Sequence, residues 1–219
     1  MLYDFHTHTF LSDGVLLPME LIRRYAMKGC RVMGITDHAG PGTLERVIKE
    51  VRADAASANK YWDIVVLTGV ELTHCPPETI PELAREAKVL GADLVVVHGE
   101  TIVEPVPEGT NHAAVSSTDV DILAHPGLLA EDDASLAARN KVALELSRRN
   151  GHCLTNGHVA YLGMATGALL VVNSDSHAPG DLLDERLQYG TARGAGLTGE
   201  QVRQVLDEAP HKLLEKLGK

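Results

Sequence analysis

This sequence predicts an α/β fold of parallel strands covered by helices, on three observations. Short apolar runs of four to six residues alternate with amphipathic, helix-length segments along all 219 residues. Most of those runs lead into a His, Asp or Glu at their C-terminal end. No linker, low-complexity tract or internal repeat divides the chain, so residues 1–219 read as a single domain.

The elements follow in order. Leu2–Phe5 is the first apolar run, and Pro18–Lys28 reads as a helix stopped by Gly29. Arg31–Ile35 is the second run. Thr43–Tyr61 is helical, with Leu44, Val47, Ile48 and Val51 on one face. Ile64–Leu67 is a third strand, and Ile80, Leu83, Ala84 and Ala87 mark a helix closed by Gly91. Leu94–Val97 and Ile122–Ala124 are the fourth and fifth strands. Lys141–Ser147 alternates Val142, Leu144 and Leu146 and reads as the sixth, although a helix through Ala134–Arg148 also fits. Leu169–Asn173 is the seventh. Thr198 and Gln201 form a capping box for a last helix carrying Val202, Val205 and Leu206. Thr101–Asn111 is the longest loop, and a loop of that length in a compact chain is often functional. Met27, Met33 and Met164 read as core fillers.

Composition bounds the function. Hydrophobic residues make up 44% and charged residues 23%, which supports a packed core and excludes disorder, collagen and a disulfide scaffold. A formal charge of −10 disfavours nucleic-acid or anionic-membrane partners. The cysteines Cys30, Cys75 and Cys153 are scattered without a CxxC pair, which suits a reducing compartment. With neither a secretory leader nor a membrane-length apolar stretch in view, the expected location is the cytoplasm.

Eleven histidines stand beside two Phe and one Trp. Histidine is the commonest metal ligand and is costly to bury unpartnered. His6 and His8 follow the first strand as H-x-H, a spacing that turns both imidazoles to one face of an extended chain. Asp175 and His177 repeat that spacing after the seventh strand. Asp37 and His38 end the second strand, Glu71 the third, His98 the fourth and His125 the fifth. One His at a strand end is ordinarily a satisfied polar residue. Six such strand ends are different, because in a closed parallel barrel they surround one mouth. Nitrogen and oxygen donors without thiolate suit Zn, Mn or Fe.

The segments FHTHTFLSDG, ITDH, GVE, VVVHGE, LAHPG and NSDSH, in this order from His6 to His177, resemble the PHP (polymerase and histidinol phosphatase) superfamily. The resemblance implies a distorted (β/α)7 barrel, TIM-barrel-like, with three divalent metal ions at its C-terminal mouth. It implies nine ligands: His6, His8, Asp13, His38, Glu71, His98, His125, Asp175 and His177. By that resemblance His6, His8, Glu71 and Asp175 hold one ion, and Glu71, His98 and His125 a second, with Glu71 bridging. Asp13, His38 and His177 hold the third. The length implies a free-standing member, similar to the small histidinol-phosphatase-like proteins.

The expected activity is hydrolysis of a small phosphomonoester by a metal-activated hydroxide, with Glu71, Asp175 and His177 at the reacting centre. His158, in LTNGH, is the candidate general acid. Asp37 either orients a ligand or caps its turn. Arg148 and Arg149 follow the sixth strand and are candidates for gripping phosphate, since guanidinium binds it bidentately. Glu100, Glu104 and Asn111, in or beside the long loop, are candidates for reading the leaving group. His74 and His152 lie near the mouth but carry no motif. The expected partner is a small phosphorylated metabolite. Two other readings share the features: a hydrolase of C–N bonds, and a non-catalytic metal-binding module.

Overall fold

The computed structural model describes residues 1–219. The chain runs β1 (Leu2–Asp4), α1 (Pro18–Met27), β2 (Cys30–Ile35), β3 (His38–Ala39), α2 (Leu44–Tyr61), β4 (Val65–Leu72) and α3 (Ile80–Val89). It continues through β5 (Leu94–His98), α4 (Thr110–Ser116), β6 (Ile122–Ala124), α5 (Glu131–Asn140), β7 (Ala143–Ser147), α6 (Asn156–Thr166) and β8 (Leu170–Asn173). It ends with α7 (Glu185–Gly194), α8 (Gly199–Arg203) and α9 (Ala209–Lys216), the last two joined by a π-turn at Gln204–Glu208.

Every strand pair is parallel, in the order β1-β2-β4-β5-β6-β7-β8, with β3 beside the upper half of β4. The helical returns between parallel neighbours are what such a sheet requires. The result is the nearly closed seven-stranded barrel that the sequence predicts, with the very short β3 added. The seam between β8 and β1 is stitched just beyond the strand ends. There Thr7 bridges Ser176, the Asp175 N–H donates to the His6 carbonyl at 3.0 Å, and the His8 N–H donates to Ser176 at 2.9 Å. The seam therefore consists of the H-x-H and D-x-H segments themselves.

Period-two alternation divides the strand residues between two cores. Outward residues such as Val95, Val97, Leu144, Leu146, Leu170 and Val172 pack with the helices in the larger core. Inward residues such as Tyr3, Phe5, Leu67, Leu94, Val96, Ile122, Ala143 and Val171 fill the barrel. Space inside is tight. A Cβ at Gly34 would meet the Phe5 carbonyl and a Leu94 methyl at 2.8 Å, so β2 can pass only as glycine there.

Four expectations need correction. β4 runs on to Leu72 rather than stopping at Leu67, which takes Glu71 into its last two residues. The ambiguous segment before β7 contains both elements: α5 ends at Asn140, Lys141 turns with φ 56°, and β7 begins at Ala143. The long loop is shorter than expected, because α4 begins at Thr110. Met27, at the end of α1, is 79% exposed and fills no core, whereas Met33 is fully buried. No helix is long and apolar enough to cross a membrane.

Candidate metal centre

The inward rows lead straight to the mouth. On β4 the row Leu67–Gly69 continues to Glu71, and on β5 the row Leu94–Val96 continues to His98. On β7 the inward residue after Ala143 is Glu145, and on β8 Val171 and Asn173 lead to Asp175. His125 and Asp175 have positive φ, 28° and 51°, which turns each side chain off the strand and into the mouth. Non-glycine residues hold such backbone conformations at a cost, and those positions concentrate at functional sites.

The side chains meet in overlapping groups. His6, Glu71 and His125 form one, and His6, His8 and Asp175 a second, all buried. Glu71 Oε1 lies 3.3 Å from His6 Nε2 and 3.6 Å from His125 Nε2. Asp175 Oδ1 lies 3.3 Å from His8 Nε2, and Asp175 Oδ2 3.6 Å from His125 Nε2. His8, Asp13, His38 and His177 form a third group, in which Asp13 Oδ1 is 3.4 Å from His38 Nε2 and 3.1 Å from His177 Nε2. Glu71 reaches this group through Oε2, 2.6 Å from His38 Nδ1. His98 has its close carboxylate contact with Glu104, at 3.0 Å, rather than with Glu71.

Supporting side chains fix these positions. Glu145 Oε2 sits 2.7 Å from His6 Nδ1 and accepts from Asn173 Nδ2 at 3.0 Å. Asp37 is wholly buried and accepts from the Thr9 N–H (2.7 Å), Thr9 Oγ1 (2.7 Å) and Ser12 Oγ (2.6 Å). It thereby moulds the loop that carries Asp13, so its role is to hold a turn, one of the two expected for it. Asp4 accepts from the Tyr25 hydroxyl at 2.5 Å beneath the seam.

The electrostatics favour cations. Burial would raise the Glu71 carboxyl, but His6 and His38 outweigh it and hold Glu71 well below the usual carboxylate range. Burial raises Asp175 to about 6 against the pull of His6 and His125. Burial lowers His98 to about 4 and His152 to about 3, leaving neutral imidazoles with free lone pairs at neutral pH. Glu71 Oε1 and His125 Nδ1 are both fully buried without a hydrogen-bond partner. An orphaned carboxylate oxygen between two imidazole nitrogens is an expensive arrangement in a protein interior. A dication among these donors satisfies it, so the residues present fit a metal centre of nitrogen and oxygen ligands.

The mouth opens into a cavity of about 560 Å³ whose fourteen lining residues include one apolar side chain, Ala39. Arg149 lines it, reaching the Asp175 carboxylate at 3.7 Å and the ring of His177. The other candidate substrate contacts turn elsewhere. Arg148 bonds to Asp181 (3.4 Å) and the Gly180 carbonyl, beside a separate groove. Asn111 and Glu100 bond to each other's backbone N–H, and Asn111 Nδ2 donates to the Pro126 carbonyl at 2.8 Å, so both pin the loop base. His158 bonds to the Leu129 carbonyl through Nε2 at 2.7 Å, away from the mouth. None of these four lines the cavity.

One residue that matters here has no expected role in the sequence. Glu145 carried a legible signal: a carboxylate between Leu144 and Leu146 in a fully buried strand. His152 and His74 line the cavity, as does Glu104 from the long loop.

A family model described as PHP domain matches residues 4–95. An uncharacterized protein of Methanocaldococcus jannaschii is 45% identical over 218 residues, covering 99% of this chain and 100% of the relative. A Shewanella frigidimarina protein named "Probable phosphatase" is 28% identical, with 99% of this chain and 92% of the relative aligned. Among solved structures, the histidinol phosphate phosphatase of Lactococcus lactis, described as complexed with zinc, L-histidinol and phosphate, superposes with a TM-score of 0.61. That match is 15% identical and covers 90% of this chain and 94% of the other, so it shows a shared fold. With a relative 45% identical along the whole chain, the ordered motifs and the matched model, the chain belongs to the PHP family.

Proposed function

We propose that this protein is a metal-dependent phosphoesterase that hydrolyses a small phosphomonoester, using His6, His8, Asp13, His38, Glu71, His98, His125, Asp175 and His177 to hold divalent ions. The observation that carries the reading is the orphaned Glu71 Oε1, wholly buried between the imidazoles of His6 and His125. Bound dications would supply hydroxide at neutral pH and neutralise phosphoryl oxygens as charge shifts.

The chain's own groups divide the remaining work. Glu71 presents its two oxygens to different imidazoles, Oε1 toward His6 and His125 and Oε2 toward His38, which suits a bridging carboxylate. Glu145 fixes the ring of His6 so that Nε2 faces the centre. Arg149 is the guanidinium on the cavity wall and orients the phosphoryl group. The polar lining suits a charged, hydrophilic substrate rather than an apolar one. The phosphatase name of one relative and the histidinol-phosphate activity of one structural neighbour support the reaction class.

Purified protein reconstituted with Zn, Mn or Fe and offered a panel of phosphorylated metabolites, phosphodiesters, amides and lactams tests the reading. Selective phosphate release from monoesters is the expected result. Turnover confined to amides or lactams, or binding of metal with no turnover, contradicts it.

A further inference from the structure

The outer wall of the cavity carries a donor cluster that includes only one of the nine proposed ligands. His98 Nε2 lies 3.0 Å from Glu104 Oε2, and the rings of His98 and His74 are centred 4.9 Å apart. One donor atom from each of His74, His98 and Glu104 lies within 4.8 Å of the others. Glu71 makes its close imidazole contacts with His6, His8, His38 and His125, and His98 is not among them. His98 Nδ1 faces the Gly99 carbonyl at 3.2 Å, which leaves Nε2 for the cavity.

The backbone sets the direction of the exposed His74, and side-chain contacts fasten the loop of Glu104. His74 has φ 52°, a left-handed backbone uncommon outside glycine, and its ring lines the cavity. Glu104 stands on the loop before α4. That loop is fastened by a 2.9 Å contact between Thr101 Oγ1 and His152 Nδ1, and Glu104 Oε1 reaches within 3.5 Å of His152 Nε2. Donors bonded at about 2.0–2.2 Å to one dication stand roughly 3–3.5 Å apart. The His98–Glu104 separation falls in that interval.

From this juxtaposition we infer that His74, His98 and Glu104 form an outer divalent-cation site, with Glu104 a metal ligand supplied by a surface loop. The inference rests on the reading of the mouth as a metal centre and extends it to two residues outside the nine. The Glu104 side chain is 38% exposed, whereas Glu71 and His6 are fully buried, so the outer ion exchanges more readily than the inner ones. One carboxylate and two imidazoles also leave a net positive site, ready for an anionic ligand.

Metal-stripped protein is titrated with Zn(II) or Co(II) by calorimetry, and bound metal is counted after equilibrium dialysis. Wild type is compared with Glu104→Gln and His74→Ala, with circular dichroism as the folding control. In both variants the weakest binding step is lost or its Kd rises at least tenfold, while the tighter steps are unchanged. Variants matching wild type in stoichiometry and in every Kd overturn this inference alone. A wild-type protein that takes up no dication overturns both the inference and the function beneath it.

Discussion

His6 Nδ1 and Glu145 Oε2 stand 2.7 Å apart, both wholly buried, at the point where β7 and the β1–β8 seam meet. This pairing aims the other nitrogen of His6 at Glu71 and Asp175. Removing a carboxylate that orients a ligating imidazole typically costs ten- to a hundredfold in metal affinity. Glu145→Gln should therefore weaken the tightest metal-binding step by about that factor while the fold persists. Calorimetric titration of the metal-stripped variant reads it, and unchanged affinity would show that Glu145 is merely structural.

Glu71→Gln keeps the shape of the side chain but removes the charge shared by four imidazoles. Bound metal should fall by at least one equivalent and phosphate release should drop roughly a thousandfold, as expected when metal-supplied charge stabilisation is lost. Elemental analysis paired with steady-state rates checks both at once. Full metal content with normal turnover would remove Glu71 from its bridging role.

Arg149→Met separates binding of substrate from binding of metal. The variant should retain its metal and lose about tenfold or more in kcat/KM, since one charge-assisted phosphate contact disappears. Parallel metal analysis and kinetics read this, and an unaltered kcat/KM would exclude Arg149 from the phosphate.

Asp37 gathers donors from Thr9 and Ser12 in a buried position. Asp37→Ala leaves those donors unpaired and should destabilise the protein by roughly 3 kcal/mol. It should also loosen Asp13 and with it the His38–His177 side of the mouth. Chemical denaturation measures the first effect. A loss below about 0.5 kcal/mol would mean the loop holds its shape without this carboxylate.

At the opposite end of the barrel, Lys216 Nζ lies 3.2 Å from buried Asp121, which Lys88 also contacts. Burial lowers the Lys216 ammonium below its usual range, against the pull of Asp121. The unfolded chain therefore binds this proton more tightly than the folded one. As pH rises through the depressed folded value toward about 10.4, the unfolded reference, the penalty for burying the charge is relieved and this group's contribution to stability increases. Relative to Lys216→Met, wild type should gain Tm steadily over that alkaline window. A constant difference between the two melting curves from neutral to alkaline pH would refute the assignment.

Legibility in the sequence followed local physics. The strands and the α1 to α3 helices declared themselves because alternation and 3.6-residue periodicity are short-range signals. His6, His8, Glu71 and Asp175 were legible because they sit at or near the ends of apolar runs. Glu145 was missed because its strand was read for the face that packs on helices, and it points to the other. His74 and Glu104 were not legible as a pair, because their meeting with His98 depends on the path of a loop whose conformation no periodicity encodes. Arg148 and Arg149 are adjacent and chemically identical, so only the three-dimensional path could send one to Asp181 and the other into the cavity.

The most direct test of the central claim is a crystal structure of the metal-reconstituted protein with anomalous scattering collected at the metal edge. Peaks are expected between Glu71 Oε1 and the Nε2 atoms of His6 and His125, and beside Asp13, His38 and His177. A map without anomalous density at the mouth, from protein soaked with Zn or Mn, would contradict that claim.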